Sequence, residues 1–238
     1  MKFSTRKSIR RQTPLTMKVI LIFFGPPGSG KGTQADLLSQ KTGWKKISTG
    51  DLLRAEIVSK SDLGKRAEKY VSAGKLVPDK LLIDLVSKSL KQKTEGFIFD
   101  GYPRNIKQQN DLSNMFEKCL KKDDQVLSLL VDVSDKEVKQ RLSQRRVCSC
   151  GSIYHLKYNP PINNGICDVC HQKLFIRDDD KPKIISHRLR IYHQNIKPVF
   201  DYWQQIGKFI KIDGEQPIAK IHKEILENLE GGRLLKII

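Results

Sequence analysis

The sequence predicts an α/β fold, with a parallel sheet of about five strands flanked by helices. Short apolar runs recur along the chain, and segments with helical periodicity separate them. Three of the longer runs have an aspartate at or near their carboxyl end. Strands that alternate with helices usually form a parallel sheet with both faces covered. We therefore expect the α/β class.

Five segments have the composition of strands. The first is a continuous apolar run that leads into a glycine-rich loop, as a buried central strand would. The second is short and precedes Ser48. The predicted strands cover residues 18–24, 45–47, 96–100, 126–132 and 208–213.

Three segments between the strands have clear helix signals. Apolar residues trace one helical face after Pro78, and proline is favoured in the first turn of a helix. Ser134 and Glu137 have the spacing of a capping box, which predicts that a helix begins there. A third helix is predicted after Pro217, where isoleucines recur along one face.

Residues 147–180 interrupt this alternation. They contain four cysteines, two clusters of asparagine with proline or glycine, and three consecutive aspartates. Such residues favour turns over long helices or strands. We expect a small turn-rich insert with some β structure, attached to the α/β core.

The chain carries a formal net charge of +18 and has no apolar run of the roughly 18 residues that a membrane span needs. We expect a globular cytoplasmic protein with no membrane partner. Residues 1–16 contain five basic and no acidic residues. A disordered extension or an alternative start at Met17 is the simpler interpretation, and a mitochondrial targeting segment is the alternative. The charge favours polyanionic ligands but does not distinguish RNA from nucleotides.

A glycine-rich loop begins at Gly25 and ends in Lys31, with the spacing Gly-x4-Gly-Lys. It lies between a predicted strand and a predicted helix. In that context, backbone N–H groups and the helix dipole bind phosphate, and the lysine reaches the transferring group. Gly32 replaces the usual serine or threonine, and Thr33 follows it. The loop predicts a P-loop NTPase-like core.

From this loop to about Pro217, the chain resembles the adenylate kinase family. The resemblance is carried by Gly-Pro-Pro-Gly-Ser-Gly-Lys-Gly-Thr-Gln from Gly25, Ser-Thr-Gly-Asp-Leu-Leu-Arg from Ser48, Gly-Lys-Leu-Val-Pro from Gly74 and Phe-Asp-Gly-Tyr-Pro-Arg from Phe99. It implies a reversible, magnesium-dependent transfer of phosphate from ATP to AMP, which yields two ADP. One chain carries the whole set of motifs, so we expect a monomer.

The resemblance also implies three structural parts. A P-loop core comprises residues 17–47, 78–146 and 181–238. A helical AMP-binding insert comprises residues 48–77, and a lid comprises residues 147–180. Residues 1–16 form the basic extension.

The family's site residues transfer onto matching positions of this sequence. The catalytic group implied is Lys31, Arg104, Arg141, Arg145, Arg177 and Arg188. The ATP-binding residues implied are Gly28, Ser29, Gly30, Lys31, Gly32, Thr33, Arg141, Arg145, Ile153, Tyr154 and Lys211. The AMP-binding residues implied are Thr49, Arg54, Lys75, Leu76, Val77, Gly101, Tyr102, Pro103, Arg104, Gln108, Arg177 and Arg188.

These residue types suit phosphoryl transfer. Arginine binds phosphate oxygens with a planar, permanently charged fork, and the AMP phosphate is already ionised near neutral pH, so no general base is needed. Arg141 and Arg145 are four residues apart on a predicted helix, which would place both on one face. Asp100 is expected to hold Mg²⁺ directly or through water. Gln108 can offer a donor and an acceptor to the adenine of AMP.

Further details follow from the same resemblance. Lys211 is expected to offer its backbone to the adenine of ATP. Tyr154 is expected either near the ATP or as part of the lid core. Asp179 and Asp180 are expected to pair with the arginines or to anchor the lid.

The four clustered cysteines predict a metal site. The spacing is Cys148-x-Cys150, sixteen residues, then Cys167-x2-Cys170, and two such pairs normally give a four-thiolate structural zinc site. The first pair is one residue shorter than usual, so His155 or His171 is an alternative ligand. The spacing is also compatible with free thiols that bind no metal, or with a disulfide. Cys119 stands apart, and we expect it to be a buried thiol.

Two further functions remain open at this stage. One is that of a UMP/CMP-type nucleoside monophosphate kinase. The other is that of a basic zinc-ribbon protein that binds RNA and uses its P-loop for regulation. Aromatic residues make up only 7% of the chain, and no aromatic-rich basic strand is present, so nucleic acid is not the expected partner. The expected partners are ATP, AMP and ADP.

Overall fold

The computed structural model describes residues 17–232. The basic extension predicted over residues 1–16 lies outside the described residues. Within residues 17–232, no helix combines the length and the apolar composition needed to cross a membrane.

The centre of the fold is a five-stranded sheet in which every neighbouring pair is parallel. Its strands are β1 (Val19–Phe24), β2 (Lys45–Ser48), β3 (Gly96–Asp100), β4 (Gln125–Asp132) and β7 (Phe209–Asp213). Their order in space is β2-β3-β1-β4-β7. The predicted fold class and the five predicted strands are confirmed.

Helices connect the strands and cover the sheet. They are α1 (Lys31–Thr42), α2 (Thr49–Val58), α3 (Asp62–Ser72), α4 (Asp79–Leu90), α5 (Ile106–Cys119), α6 (Asp135–Gln144), α7 (Pro182–Gln205) and α8 (Ile218–Gly231). Helices α4 and α8 begin directly after Pro78 and Pro217, as predicted. The Ser134 side chain accepts a hydrogen bond from the Glu137 backbone N–H, which confirms the predicted cap of α6.

Two apolar clusters sandwich the sheet. Alternate residues of β1 point to opposite faces, as the pleat of a strand requires. Ile20 and Ile22 join the cluster that contains Trp203 of α7, whereas Leu21 and Phe23 join the cluster that contains Ile225 of α8. All six residues of β1 are buried, which explains why the strand is an uninterrupted apolar run.

The strand order places two loops side by side at the carboxyl edge of the sheet. After β1 the chain moves outward to β2, returns to β3 beside β1, and then continues on the other side of β1 with β4. Phe23 is in register with Asp100, so the loops that follow β1 and β3 are adjacent. In open α/β sheets, the crevice at such a reversal of strand order is the usual place for a ligand.

The segment after α6 forms the small insert that the sequence predicts. Strands β5 (Arg145–Val147) and β6 (Ile153–His155) pair in an antiparallel hairpin. Isolated bridges extend the pairing, and a 3₁₀ turn (Asp178–Asp180) leads into α7. A buried cluster of Cys148, Tyr154 and Cys167 forms its interior.

The expectation that Cys119 is buried is wrong. Cys119 is the last residue of α5, and its side chain is exposed. Leu112 and Phe116 are the buried apolar residues of α5, whereas Cys119 lies at the very end of the helix.

We predict that Gly64→Ala lowers the free energy of unfolding by about 1–3 kcal/mol, the usual range for overpacking. A Cβ at this position of α3 would overlap with the backbone O of Glu56 in α2. Backbone cannot rotate away as a side chain can, so the two helices must separate. Urea unfolding measures the effect.

Gly231→Ala is the matched control for this prediction. Gly231 ends α8, and a Cβ there would meet nothing within 4 Å. Its unfolding free energy should change by less than about 0.5 kcal/mol. Equal stability of the two variants would contradict the close contact between α2 and α3.

Candidate active site

The loop between β1 and α1 requires glycine at two positions. Gly25 has φ of 148°, and a Cβ on it would lie 2.5 Å from Ser29 Oγ and 2.6 Å from the backbone O of Val131. Gly28 has φ of 81°, and a Cβ there would lie 2.7 Å from Leu142. Only glycine fits both positions. The loop then enters α1, whose N-terminus carries the positive end of the helix dipole.

Lys31 is the first residue of α1 and lies in the crevice. Its Nζ donates a hydrogen bond to the backbone O of Pro26 at 2.9 Å. Burial lowers the pKa of Lys31 to about 8; Asp100 opposes the shift, and the nearby Arg104 and Arg188 add to it. The lysine is therefore held among other cations, and a bound anion would raise its pKa again.

The close approach of Asp100 explains why Gly32 stands where the usual P-loop sequence has serine or threonine. A Cβ at this position would lie 3.2 Å from Oδ2 of Asp100, at the end of β3. A serine or threonine would crowd that carboxylate. Among residues 17–232, no cation lies within ion-pair distance of Asp100, so its oxygens are available to a metal or to water.

Arginines from five parts of the chain converge beside Lys31. They are Arg54 of α2, Arg104 after β3, Arg145 of β5, Arg177 before the 3₁₀ turn and Arg188 of α7. Each is close enough to lower the pKa of another arginine of the group or to have its own pKa lowered by one. The sequence predicts all five as site residues, and the structure brings them together.

Two aspartates of the 3₁₀ turn hold part of this cluster in place. Asp180 has a fully buried side chain and accepts hydrogen bonds from Arg145 Nε at 2.8 Å and Arg145 Nη2 at 2.6 Å. Arg188 Nη1 lies 3.0 Å from Oδ2 of Asp179 and 3.2 Å from Oδ1 of Asp180. The expected pairing of these aspartates with the arginines is confirmed.

Positive charge remains in excess. Desolvation by the cleft walls, with the charge of Arg188, lowers the pKa of Arg104 to about 10, although the open cleft leaves its side chain accessible. Burial and the charge of Arg145 lower the pKa of Arg177 to about 10. Burial also lowers the pKa of Arg188, against the effect of Asp179. Such crowding of cations is relieved when a polyanion binds.

Arg141 approaches the P-loop from another side. Its Nη1 donates to the backbone O of Ser29 at 3.3 Å, and its Nε donates to Glu137 at 2.7 Å. The expectation that Arg141 and Arg145 share one helical face is wrong. Helix α6 ends at Gln144, and Arg145 has extended dihedrals as the first residue of β5. The hairpin turns Arg145 toward Asp180.

A cleft extends from the P-loop between the helices that follow β2. Arg54 and Arg104 lie at its charged end, and apolar side chains surround the remainder. The walls include Thr49, Gly50, Leu53, Val71, Gly74, Lys75, Leu76, Val77, Leu82, Gly101 and Pro103. A cationic end joined to an apolar slot suits a nucleoside monophosphate.

Three predicted residues of this subsite have side chains that are buried or already hydrogen-bonded within the protein. Thr49 Oγ1 donates to the backbone O of Gly101 at 3.1 Å. The Tyr102 ring is fully buried behind the wall. Gln108 is also fully buried, and its amide bonds Arg104 and Asp79 at 2.7 and 2.8 Å. Contact between Gln108 and a base would require one of these bonds to exchange.

The other predicted triphosphate-side residues lie at varied positions. Ser29 is buried in the loop before α1, whereas Thr33 is exposed on α1. Ile153 is exposed on the hairpin. Lys211 lies in edge strand β7, and its Nζ pairs with Asp132 at 2.8 Å. The Tyr154 side chain points into the insert, where its hydroxyl contacts Cys167 Sγ at 3.5 Å. This contact favours a place for Tyr154 in the lid core.

The four cysteines of the insert form one cluster. Their Sγ atoms all lie within 4.8 Å of one another, with Cys148 to Cys170 at 3.2 Å and Cys150 to Cys167 at 3.6 Å. Four sulfurs bound to Zn²⁺ at about 2.3 Å in a tetrahedron would be separated by about 3.8 Å. All four thiols are free, so the possible disulfide is not formed. The set fits a metal such as zinc.

Neither histidine belongs to this cluster. His155 Nδ1 instead accepts hydrogen bonds from the backbone N–H groups of Lys157 and Tyr158. Burial works against ionisation of Cys167, but hydrogen bonds from the Tyr154 hydroxyl and nearby backbone amides lower its pKa to about 5. The shortened Cys-x-Cys pair still converges with the second pair, because all four Sγ atoms lie within 4.8 Å of one another.

Two features of the site have no clear signal in the sequence. Ile191, Tyr192 and Ile196 of α7 line the cleft, although their spacing looks like that of ordinary core residues. Asp51 pairs with Arg54, and the charge of that arginine, with further hydrogen bonds, overcomes burial and lowers the Asp51 pKa to about 2. A helical aspartate three residues before an arginine is the one pattern that could have indicated this pair.

Comparison with known proteins gives a consistent result. A family model described as adenylate kinase matches residues 23–208. The chain is 43% identical to an adenylate kinase of Archaeoglobus fulgidus over 213 residues, which are 88% of this chain and 97% of that protein. It is 44% identical to one of Methanothrix thermoacetophila over 207 residues, 86% and 95% of the two chains. A third, from Clostridium novyi, is 40% identical over 218 residues, 90% and 99% of the two chains.

Proposed function

The chain belongs to the adenylate kinase family, and we propose that it transfers the terminal phosphoryl group of ATP reversibly to AMP, forming two ADP. The observation that carries this proposal is the convergence of Lys31 and five arginines where the P-loop meets the cleft of residues 48–77. Two nucleotides that meet phosphate to phosphate bring several negative charges together. A surplus of fixed positive charge is what their reaction requires.

We assign the triphosphate to the P-loop. The loop N–H groups and the N-terminus of α1 would hold its phosphates, and Lys31 would follow the transferring group. Arg141, bonded to the loop at Ser29, would hold the phosphate chain from the other side. Residues 147–180 would close over this nucleotide as a lid and exclude water, which would otherwise accept the phosphate.

We assign AMP to the cleft of residues 48–77. Arg54 and Arg104 would bind its phosphate, and the apolar walls around Leu53 and Val77 would hold the base. The phosphate needs no general base because it is already ionised, so the protein's part is to position and to stabilise charge. Arg145, Arg177 and Arg188 would then surround the group in transit.

We propose Asp100 as the Mg²⁺ residue, acting directly or through water. Its carboxylate lies beside the start of α1 and has no ion-pair partner among the described residues. Magnesium prefers carboxylate and phosphate oxygens and keeps several waters. When bound with ATP, it would supply positive charge that offsets the charge of the phosphates.

We propose that Cys148, Cys150, Cys167 and Cys170 hold one structural Zn²⁺. Four protein ligands leave no open position, so the ion would stabilise the lid and take no part in the reaction. We predict that the purified protein contains one zinc per chain, and that Cys167→Ser loses the zinc and lowers the melting temperature. Mass spectrometry of metals and a thermal scan measure both.

Cys119→Ser is the control for the zinc prediction, because this exposed thiol lies on α5, outside the cluster. It should keep both the metal and the melting temperature. Four titratable thiols in the native lid, with no bound metal, would contradict the zinc assignment.

The pKa of Lys31 leads to a pH prediction. At pH 8 the lysine is about half deprotonated in the free protein, since its pKa is about 8. Bound phosphate favours the charged form, so its pKa rises and ATP binding should take up protons at pH 8. Affinity for ATP should therefore fall as pH rises above 8. Calorimetry in buffers of different ionisation enthalpy measures the uptake.

Lys31→Met separates this proton uptake from ionisation of the nucleotide. The variant should lose the uptake at pH 8, whereas the Lys41→Met variant, altered at the exposed end of α1, should retain it. Equal uptake by both variants would contradict the assignment to Lys31.

A coupled assay tests the proposed function. ADP formation is measured with ATP plus AMP, UMP, CMP or GMP in turn, each with and without Mg²⁺. AMP should be the preferred acceptor. A preference for UMP or CMP would replace the acceptor assignment, and no transfer to any monophosphate would overturn the function. No observation on the described residues favours UMP/CMP kinase activity or RNA binding.

We further propose a cytoplasmic monomer. A single chain supplies both subsites, and the mitochondrial alternative rests on the composition of residues 1–16, which lie outside the described residues. Centrifugation at several concentrations measures the oligomeric state.

A further inference from the structure

One carboxylate near the AMP cleft takes no direct part in the proposed reaction. Asp79 is the first residue of α4, and its side chain is 15% exposed. Its Oδ1 accepts a hydrogen bond from Gln108 Nε2 at 2.8 Å, and Asn105 Nδ2 lies 3.5 Å away. Lys107 Nζ lies 3.7 Å from its other oxygen, but this lysine is mostly exposed. The firm bond is therefore the one to Gln108.

The bond from Asp79 determines which way the Gln108 amide points. A carboxylate only accepts hydrogen bonds, so the NH₂ end of the amide must face Asp79. The carbonyl end then faces the backbone N–H of Arg104, which can only donate, and accepts its hydrogen bond at 2.7 Å. Gln108 is fully buried, so water cannot replace either partner.

This chain of bonds links the N-terminus of α4 to the backbone of Arg104. Asp79 begins α4 two residues after Val77, which lines the apolar part of the cleft. Arg104 lines the charged end, where its Nε also bonds the backbone O of Gly101 at 2.6 Å. Asp79 and Gln108 thus set the position of the Arg104 backbone relative to the base-binding wall.

We propose that Asp79 is a positioning residue for AMP: it fixes the Gln108 amide, which in turn holds Arg104 at the correct distance from the base-binding wall. The proposal rests on the proposed role of Arg104 in binding the AMP phosphate. Asp79 does not touch the nucleotide. Its removal leaves the buried NH₂ group of Gln108 without a partner and frees the amide to turn away from Arg104.

Steady-state kinetics of Asp79→Ala test the proposal. The KM for AMP should rise about tenfold, the effect of losing one buried hydrogen bond. The KM for ATP should stay within about twofold, because the P-loop is not connected to this chain of bonds. Asp79→Asn, which can still turn an oxygen toward Gln108, should recover most of the loss. A purely structural role would move both constants together and would not be rescued selectively.

Asp62→Ala is the matched control. Asp62 is likewise the first residue of a helix, α3, but its side chain is 99% exposed. It shares with Asp79 the favourable interaction with a helix N-terminus. Both KM values should stay at the wild-type level in this variant. An AMP effect as large as that of Asp79→Ala would show that the helix end, and not the amide, is responsible.

A double-mutant cycle tests the route through Gln108. Gln108→Leu removes the amide, so adding Asp79→Ala to it should raise the KM for AMP no further. A full additional tenfold rise would overturn the proposal. An Asp79→Ala variant with wild-type KM for AMP would also overturn it while leaving the proposed function intact. Absence of AMP turnover in the wild-type enzyme would instead overturn the proposed function.

Discussion

Lys31→Met is expected to lower kcat by about 10²–10³-fold, the cost of removing one donor aimed at developing charge. Lys31 is held at the start of α1 by its bond to Pro26, and with a pKa of about 8 its ammonium group is mostly charged at pH 7. Methionine keeps the length of the side chain without the ammonium group. Initial rates at saturating ATP and AMP measure the loss.

Lys41→Met is the comparison for this variant. Lys41 lies in the last turn of the same helix and is exposed to solvent. Its kcat should remain within about twofold of wild type, as for other exposed positions outside a site. If Lys31→Met retained full kcat with a raised KM for ATP, the lysine would be a binding group only, and its role in charge stabilisation would be wrong.

Arg104→Ala is expected to raise the KM for AMP and to lower kcat/KM for AMP by about 10²-fold or more, since a charge-assisted bond to phosphate is lost. The effect should exceed that of Asp79→Ala, which leaves the guanidinium present. Arg104→Lys should restore little, because a lysine cannot reproduce the planar fork. Kinetics with AMP as the varied substrate measure both variants.

Arg190→Ala provides the control among arginines. Arg190 lies on α7, two residues after Arg188, but it is exposed and does not line the cleft. Neither KM should change. Equal losses in Arg104→Ala and Arg190→Ala would mean that general positive charge attracts the substrate, and that no specific phosphate contact exists.

The fold could be predicted largely from local signals. A strand buried on both faces is apolar throughout, as β1 is, and a capping box marks a helix start wherever Ser134 and Glu137 have the correct spacing. The P-loop is also recognisable locally from the spacing of its glycines, although the close contacts that require Gly25 and Gly28 include Val131 and Leu142, far along the chain. The signals themselves lie in a few neighbouring residues, so the sequence contains them directly.

The remaining site features depend on long-range contacts. The spacing of Arg145 from Arg141 predicts that both lie on a helix, but the chain leaves α6 one residue earlier to pair with β6. Gln108 is the right residue type to meet a base, yet its amide is occupied by Asp79, 29 positions away. The Tyr154 hydroxyl likewise contacts a side chain distant in the sequence, the Sγ atom of Cys167. Sequence spacing does not reveal which partner a polar side chain bonds.

A bisubstrate compound tests whether the ring of cations holds two nucleotides end to end. Two adenosines joined by five phosphates should bind in one-to-one ratio, measured by calorimetry, and should compete with both ATP and AMP. Lys31→Met and Arg104→Ala should each weaken its binding. Competition with ATP alone, with the AMP subsite still open to AMP, would contradict the end-to-end arrangement.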